Sequence, residues 1–209
     1  MLQAHSQDWP NLARYQEENT SITPGSKSVI FMGNSITEGW VQMVPEFFEK
    51  NNFLGRGIGG QTTPQMLIRF RQDVINLKPK VVVILAGTND IAGNTGPMSL
   101  AQIMDNLKGM AELAEANGIK VILCSVLPAY AYTWVKDKQP NIDIPKLNSM
   151  IETYCNNSGH HYLDYFSAMV GDKNDLRNEL TYDGVHPDKA GYQVMIPIVE
   201  KAILQVLGE

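Results

Sequence analysis

The chain has 209 residues, 44% hydrophobic and 19% charged, with a net charge of −5 at pH 7, a balance that fits one compact domain able to bury a core without disulfides or metals. The 17 basic residues are scattered, so the electrostatic footprint of a nucleic-acid partner is missing, and Cys124 and Cys155, without Cys-x-x-Cys spacing, read as core thiols. No apolar stretch reaches the roughly 18 residues of a membrane span, and the N-terminus lacks a basic region followed by an apolar run; the chain reads as soluble, its compartment open between cytoplasm and export after removal of an upstream signal.

Residues 1–27 are polar, with Trp9, Leu12 and Tyr15 at helical spacing before a Thr23-Pro24-Gly25 turn. This predicts a short N-terminal helical extension packed outside a main domain of residues 28–209. From residue 28 onward, apolar runs alternate with amphipathic segments, the signature of βαβ units. Strands are predicted at residues 29–32, 53–58, 81–86, 119–126 and 161–163, the middle ones rich in Val and Ile as doubly covered parallel strands are. Helices are predicted near residues 37–50, 63–77, 98–117, 145–158 and 188–207, with Pro64 suited to a first helical turn and Asn117-Gly118 closing the third helix. The fold class is therefore α/β, a three-layer α/β/α domain around a five-stranded parallel sheet. Such sheets bind ligands beyond the carboxyl ends of their strands, so chemistry is expected just after strands.

The first strand stops at Gly33-Asn34-Ser35-Ile36-Thr37, which puts Ser35 on the turn into a helix. There its own N–H sits at a helix N-terminus, where partial positive charge favours an oxyanion; a lone serine in that place also serves simply as a cap. The second strand runs into Gly55-Arg56-Gly57-Ile58-Gly59-Gly60-Gln61-Thr62. Its G-x-G-x-x-G is not a dinucleotide fingerprint, because it does not close the first strand and no acidic residue follows about 20 positions later. A glycine turn can instead present a backbone N–H to a reacting centre, and Gly60 is the candidate. The third strand leads into Gly87-Thr88-Asn89-Asp90, where the Asn89 amide can donate to developing negative charge or shape an Asx-turn. Near the C-terminus, Tyr182-Asp183-Gly184-Val185-His186-Pro187 offers His186 as a base and Asp183, three residues earlier, as the carboxylate that orients it. His160 and His161 lie on or beside a strand and have no such partner in sequence.

Taken in order, Gly-x-Ser, Gly-Gly-x-Thr, Gly-Thr-Asn-Asp and Asp-x-x-His resemble the four sequence blocks of the SGNH, or GDSL-type, hydrolase superfamily, spanning residues 33 to 186. The resemblance implies a flavodoxin-like fold, Ser35 as nucleophile, the Ser35 N–H, Gly60 N–H and Asn89 side chain as oxyanion donors, His186 as general base and Asp183 as its orienter. It implies acyl transfer through an acyl-serine, with water as final acceptor and no metal or organic cofactor. The family's first block usually reads Gly-Asp-Ser; here Asn34 replaces the Asp, and it can keep turn hydrogen bonds made through the side-chain oxygen. The G-x-S-x-G elbow, H-E-x-x-H and phosphate-binding loops are absent.

After the fourth strand come Tyr130, Tyr132 and Trp134, whose rings can stack on a sugar or line an acyl pocket, or else pack the loop onto the domain. The sequence also resembles the branch containing platelet-activating-factor acetylhydrolase-like and carbohydrate acetylesterase-like proteins. That implies a short acyl group, acetyl, on a carbohydrate or similar small ester. The alternatives are a lysophospholipase or thioesterase acting on longer chains, and a catalytically inactive sugar- or lipid-binding module on the same fold.

Overall fold

The computed structural model describes residues 8–208; the expected N-terminal extension before Asp8 lies outside the described residues. Five strands, β1 (Val29–Gly33), β2 (Leu54–Gly57), β3 (Val81–Leu85), β4 (Lys120–Cys124) and β5 (His161–Leu163), pair in parallel in the order β2-β1-β3-β4-β5. This is the doubly wound order with a switch point between β1 and β3, where crossovers leave to opposite sides and a crevice opens at the carboxyl edge. Alternate residues of each strand feed two cores. Ile30, Met32, Val82 and Ile84 pack against α4 (Thr63–Asp73), α6 (Leu100–Glu115) and α7 (Pro140–Ser158). Val29, Phe31, Val81 and Val83 face α2 (Ser35–Met43), α3 (Pro45–Asn51) and α9 (Lys189–Leu207). Short helices α5 (Thr88–Ala92) and α8 (Phe166–Met169) complete the three layers.

The helix entering from β1 is anchored by aromatic packing. Phe31 meets Trp40 edge-on at 5.6 Å and Phe48 at 5.3 Å, while Trp40 stacks on Phe47 at 5.3 Å and Tyr192 at 5.5 Å. Such pairs add about 0.5–1.5 kcal/mol each beyond the area they bury. Tyr192 Oη also donates to the Ile36 carbonyl at 2.8 Å, tying α9 to the first turn of α2.

Two prolines account for the main departures from the predicted helices. The single helix expected over 37–50 is broken at Val44, because Pro45 disfavours helical backbone before it and instead opens α3. The helix expected from residue 145 begins at Pro140, with Pro145 inside it. The carbonyl that Pro145 cannot bond, that of Asn141, accepts from Asn174 Nδ2 at 3.0 Å. A partner 33 residues away thus offsets the missing bond.

The N-terminal helix α1 (Ala13–Ser21) packs against the edge of the sheet. Tyr15 is buried and donates to the Gly57 carbonyl. Arg56 of β2 lies over the Tyr15 ring, 4.5 Å from its centroid, and donates to Asn19 at 2.7 Å and to Glu18 at 3.1 Å. Edge strand β2 is thereby covered, which is one way a sheet guards an open edge.

Beneath the carboxyl edge lies Arg69, with no exposed surface. It donates to Gln61 Oε1 at 2.6 Å, to Asp73 Oδ2 at 2.9 Å, and to the carbonyls of Gly33 and Arg56, each at 2.9 Å. Burial lowers its pKa and the hydrogen bond and charge of Asp73 push back. Removing one partner of such a buried pair costs about 3–5 kcal/mol. Arg69→Met is therefore expected to lose about that much stability in urea unfolding, and Arg69→Lys to recover only part, since an ammonium lacks the planar fork.

Candidate active site

At the turn after β1 the cap is Asn34, not Ser35: Asn34 Oδ1 accepts from the Ile36 N–H at 3.0 Å. This is the side-chain oxygen bond that Asn keeps in place of Asp. It leaves the Ser35 hydroxyl free of capping duty, and that hydroxyl lies 2.9 Å from His186 Nε2. Ser35 is the first residue of α2, so its N–H has no intrahelical acceptor. The turn sits tight on β2. A Cβ on Gly57 would come within 2.2 Å of the Glu38 nitrogen and 2.7 Å of the Asn34 carbonyl.

His186 is held from its other side. Its Nδ1 lies 2.7 Å from Asp183 Oδ2, and Asp183 Oδ1 accepts the backbone N–H of His186 at 2.8 Å and of Val185 at 2.9 Å. Thr181 Oγ1 closes the turn, donating to the His186 carbonyl at 2.6 Å and accepting from Gly184 N–H at 3.0 Å. An ionised carboxylate only accepts, so Nδ1 carries the proton and Nε2 offers its lone pair to the serine hydroxyl. Burial raises the Asp183 pKa, but the donors from His186 and Val185 together hold it below 3.8. His160 and His161 stand at the amino end of β5, the opposite edge of the sheet, beside a cleft of about 590 Å³ that is remote from Ser35.

The glycine turn and the third block meet at the same edge. Gly60 has φ +75°, and a Cβ there would meet nothing within 4 Å. Glycine is thus required by backbone conformation rather than by space, a physical reason different from the close approach the sequence suggests. Among the described residues the Gly60 N–H has no hydrogen-bond acceptor. Its neighbour Gly59 donates to Glu38 Oε2 at 2.9 Å, and Glu38 is gripped by Arg14 of α1 at 3.3 Å. Asn89 is buried in α5, where one amide hydrogen goes to the Gln61 carbonyl at 2.9 Å; the other is left to donate elsewhere. Asp90 next to it accepts from both the N–H and Oγ1 of Thr63, at 2.8 and 2.6 Å, and burial raises its pKa against those bonds.

The three aromatic residues after β4 separate. Tyr132 is buried, with its hydroxyl 2.9 Å from Thr88 Oγ1; it packs the loop and is not available to a ligand. Tyr130 is exposed. Trp134 is 45% exposed, lies 4.9 Å from the Tyr132 ring and 6.4 Å from the His186 ring, and donates to Asn94 Oδ1 at 3.1 Å. Tyr182, 62% exposed, also lies by His186, its ring parallel to the imidazole at 5.8 Å. Tyr182, Glu38 and Asn94 are the neighbours that sequence reasoning missed. Only Tyr182 had a signal, its place beside the Asp-x-x-His block. Among the described residues no group of three or more His, Cys, Asp or Glu side chains could hold a metal ion, and no helix is long and apolar enough to cross a membrane.

The model of the GDSL-like lipase/acylhydrolase family matches residues 31–194. The chain belongs to that family. Among solved structures, this acylhydrolase-family chain is 47% identical to one from Bacteroides fragilis named as an acylhydrolase, with a TM-score of 0.92 over 96% of this chain and 99% of that one. It is 46% identical to a GDSL-like lipase from Bacteroides thetaiotaomicron, with a TM-score of 0.91 over 94% and 98%. Among curated relatives, the lipoprotein YqeF of Bacillus subtilis is 34% identical over 50% of each chain, so the match spans about half the length of that relative. Human platelet-activating factor acetylhydrolase IB subunit alpha1 is 24% identical over 87% of this chain and 77% of its own.

A carboxyl held at lower pKa in the folded chain than in the unfolded one adds stability above its unfolded pKa, and that stability is lost as pH falls through the folded value. Asp183→Asn is therefore expected to melt below wild type at neutral pH. The gap should begin to narrow as pH drops below about 4 and narrow further as the folded carboxyl protonates, and thermal melts at about pH 7 and pH 3 check it.

Proposed function

We propose that this chain is a serine ester hydrolase that removes a short acyl group, acetyl, from a carbohydrate. The observation that carries the reading is the unbroken hydrogen-bonded line from Asp183 through His186 to Ser35 at the sheet's switch point. Ser35 Oγ attacks the ester carbonyl while His186 Nε2 takes its proton, and Asp183 stabilises the imidazolium that forms. The carbonyl oxygen becomes an oxyanion served by the N–H groups of Ser35 and Gly60 and by the free amide hydrogen of Asn89. His186 then gives its proton to the departing alcohol oxygen, leaving an acyl-Ser35. Water, deprotonated by the same imidazole, releases the acid and restores the hydroxyl. The steps draw on protein groups and water alone.

Two kinds of support favour acetyl and sugar. An acetylxylan esterase of Xylanibacter ruminicola is 26% identical over 84% of this chain and 42% of its own length, and the acetylhydrolase relative is likewise named for an acetyl ester. The rings of Trp134 and Tyr182 lie 6.4 and 5.8 Å from the imidazole that must protonate the alcohol, and an aromatic face there suits the C–H face of a sugar ring better than open water does.

Ser35→Ala is expected to abolish turnover with an unchanged melting temperature and to lose the adduct that wild type forms with a fluorophosphonate probe; full activity in that variant sinks the nucleophile assignment. Asn89→Ala should lower kcat by about 10²–10³ with KM little changed. Acetate release from acetylated sugars, set beside p-nitrophenyl esters of increasing chain length, tests the substrate. Preference for long chains would replace the acetylesterase with a lysophospholipase or thioesterase, and no hydrolysis at all would leave a binding module.

A further inference from the structure

A groove of about 440 Å³ runs along the glycine turn, lined by Ile58 and by Gly59, Gly60 and Gln61 of the site described above. Its other walls are Trp9 and Asn11 from the N-terminal segment, Gln65 of α4, and Asn94 and Thr95 from the loop after α5. The groove adjoins the nucleophile: a Cβ placed on Gly59 would lie 3.9 Å from Ser35 Cβ.

The N-terminal wall is built rather than draped. Side-chain amides of Gln65, Gln61 and Gln72 donate to the carbonyls of Trp9, Pro10 and Leu12 at 2.7, 2.7 and 2.6 Å. The Asp8 carboxylate accepts the N–H groups of Leu12 and Ala13 at 2.8 and 2.9 Å. Trp9 is thus fixed at its backbone while its side chain stays 43% exposed at the groove. Among the described residues Asp8 is the one charged residue of this lining, and its oxygens already cap α1. What remains is neutral: the amide of Asn11, the second amide hydrogens of Gln65 and Asn94, whose oxygens already accept from Thr62 and Trp134, the hydroxyl of Thr95, paired with that of Thr62, and an indole.

That chemistry selects its ligand. An acyl chain laid here would strip water from amides without replacing the hydrogen bonds. An anion would find no cation among the described residues of the lining. A pyranose has an apolar C–H face for the indole and a rim of hydroxyls that both donate to and accept from amides. We propose that this groove is a second sugar subsite, with Trp9 as its platform, holding the sugar unit next to the acetylated one. The proposal rests on the carbohydrate reading above.

The test compares wild type, Trp9→Ala, Trp9→Tyr and Asn11→Gly. The last keeps the positive φ of 55° at residue 11 while removing the amide. Each is assayed on p-nitrophenyl acetate, an acetylated methyl pyranoside and acetylated xylo-oligosaccharides. Trp9→Ala is expected to lower the ratio of kcat/KM on the oligosaccharide to that on p-nitrophenyl acetate on the order of tenfold, through KM, with Trp9→Tyr restoring most of it. Asn11→Gly should move the ratio in the same direction by a few-fold. Equal loss on every substrate, an unchanged ratio, or selective loss on long-chain p-nitrophenyl esters would overturn the subsite. Calorimetric titration of Ser35→Ala with unacetylated xylo-oligosaccharide separates this idea from the one it rests on. Binding that Trp9→Ala removes supports the subsite even where wild type releases no acetate from sugars, an outcome that overturns the carbohydrate esterase alone. Absence of binding overturns the subsite.

Discussion

The Arg69 guanidinium joins four acceptors that belong to different parts of the chain: the end of β1, the end of β2, the glycine turn and its own helix. Gly33, whose carbonyl it holds, is two residues before Ser35; Gln61, whose side chain it holds, follows Gly60. The proposed nucleophile and the proposed oxyanion turn are thus referenced to one buried group. A charge taken fully out of water is tolerable only with its hydrogen-bonding capacity used, and here two strand carbonyls and two side-chain oxygens use it.

Around that anchor the site is assembled from loops that share donors and acceptors. Glu38 fixes Gly59, so that the next N–H is left unused; the Gln61 carbonyl fixes Asn89. Asp183 closes its own turn through two backbone N–H groups while also engaging the imidazole. Each proposed catalytic group has its orientation set by a neighbour, which is the requirement for electrostatic catalysis without reorganisation during the reaction. The N-terminal segment takes part too: Arg14 reaches Glu38 and Gln61 reaches the Pro10 carbonyl.

Strands were legible because buried parallel strands are written as short Val and Ile runs, and 81–85 and 120–124 lie inside the predicted windows. The residues of the candidate site were legible because each sits in a loop leaving a strand or entering the last helix, and the topology brings such loops to one edge. What escaped was set by pairing at long range. Nothing near Pro145 announces that Asn174 will take the carbonyl it frees, and nothing in the polar N-terminal stretch shows that Tyr15 will be buried against β2. The block Gly-Thr-Asn-Asp reads as a turn, yet it folds as a short helix, because Gly87 adopts φ +129° and Asp90 is gripped by Thr63. The aromatic loop looked uniform in sequence; one hydroxyl, that of Thr88, decides that Tyr132 turns inward while Trp134 stays at the rim.

Asn94 donates to the Gly60 carbonyl at 3.1 Å and accepts from the Trp134 indole at 3.1 Å. One amide therefore acts as a spacer between the two banks of the cleft, and its length sets their separation. Such a spacer lets the opening be widened or narrowed by exchanging a single side chain above the sheet, while the strands, the buried guanidinium and the serine below keep their positions. Under the proposed function, selectivity for larger or smaller substrates can in this way drift independently of the proposed reacting groups.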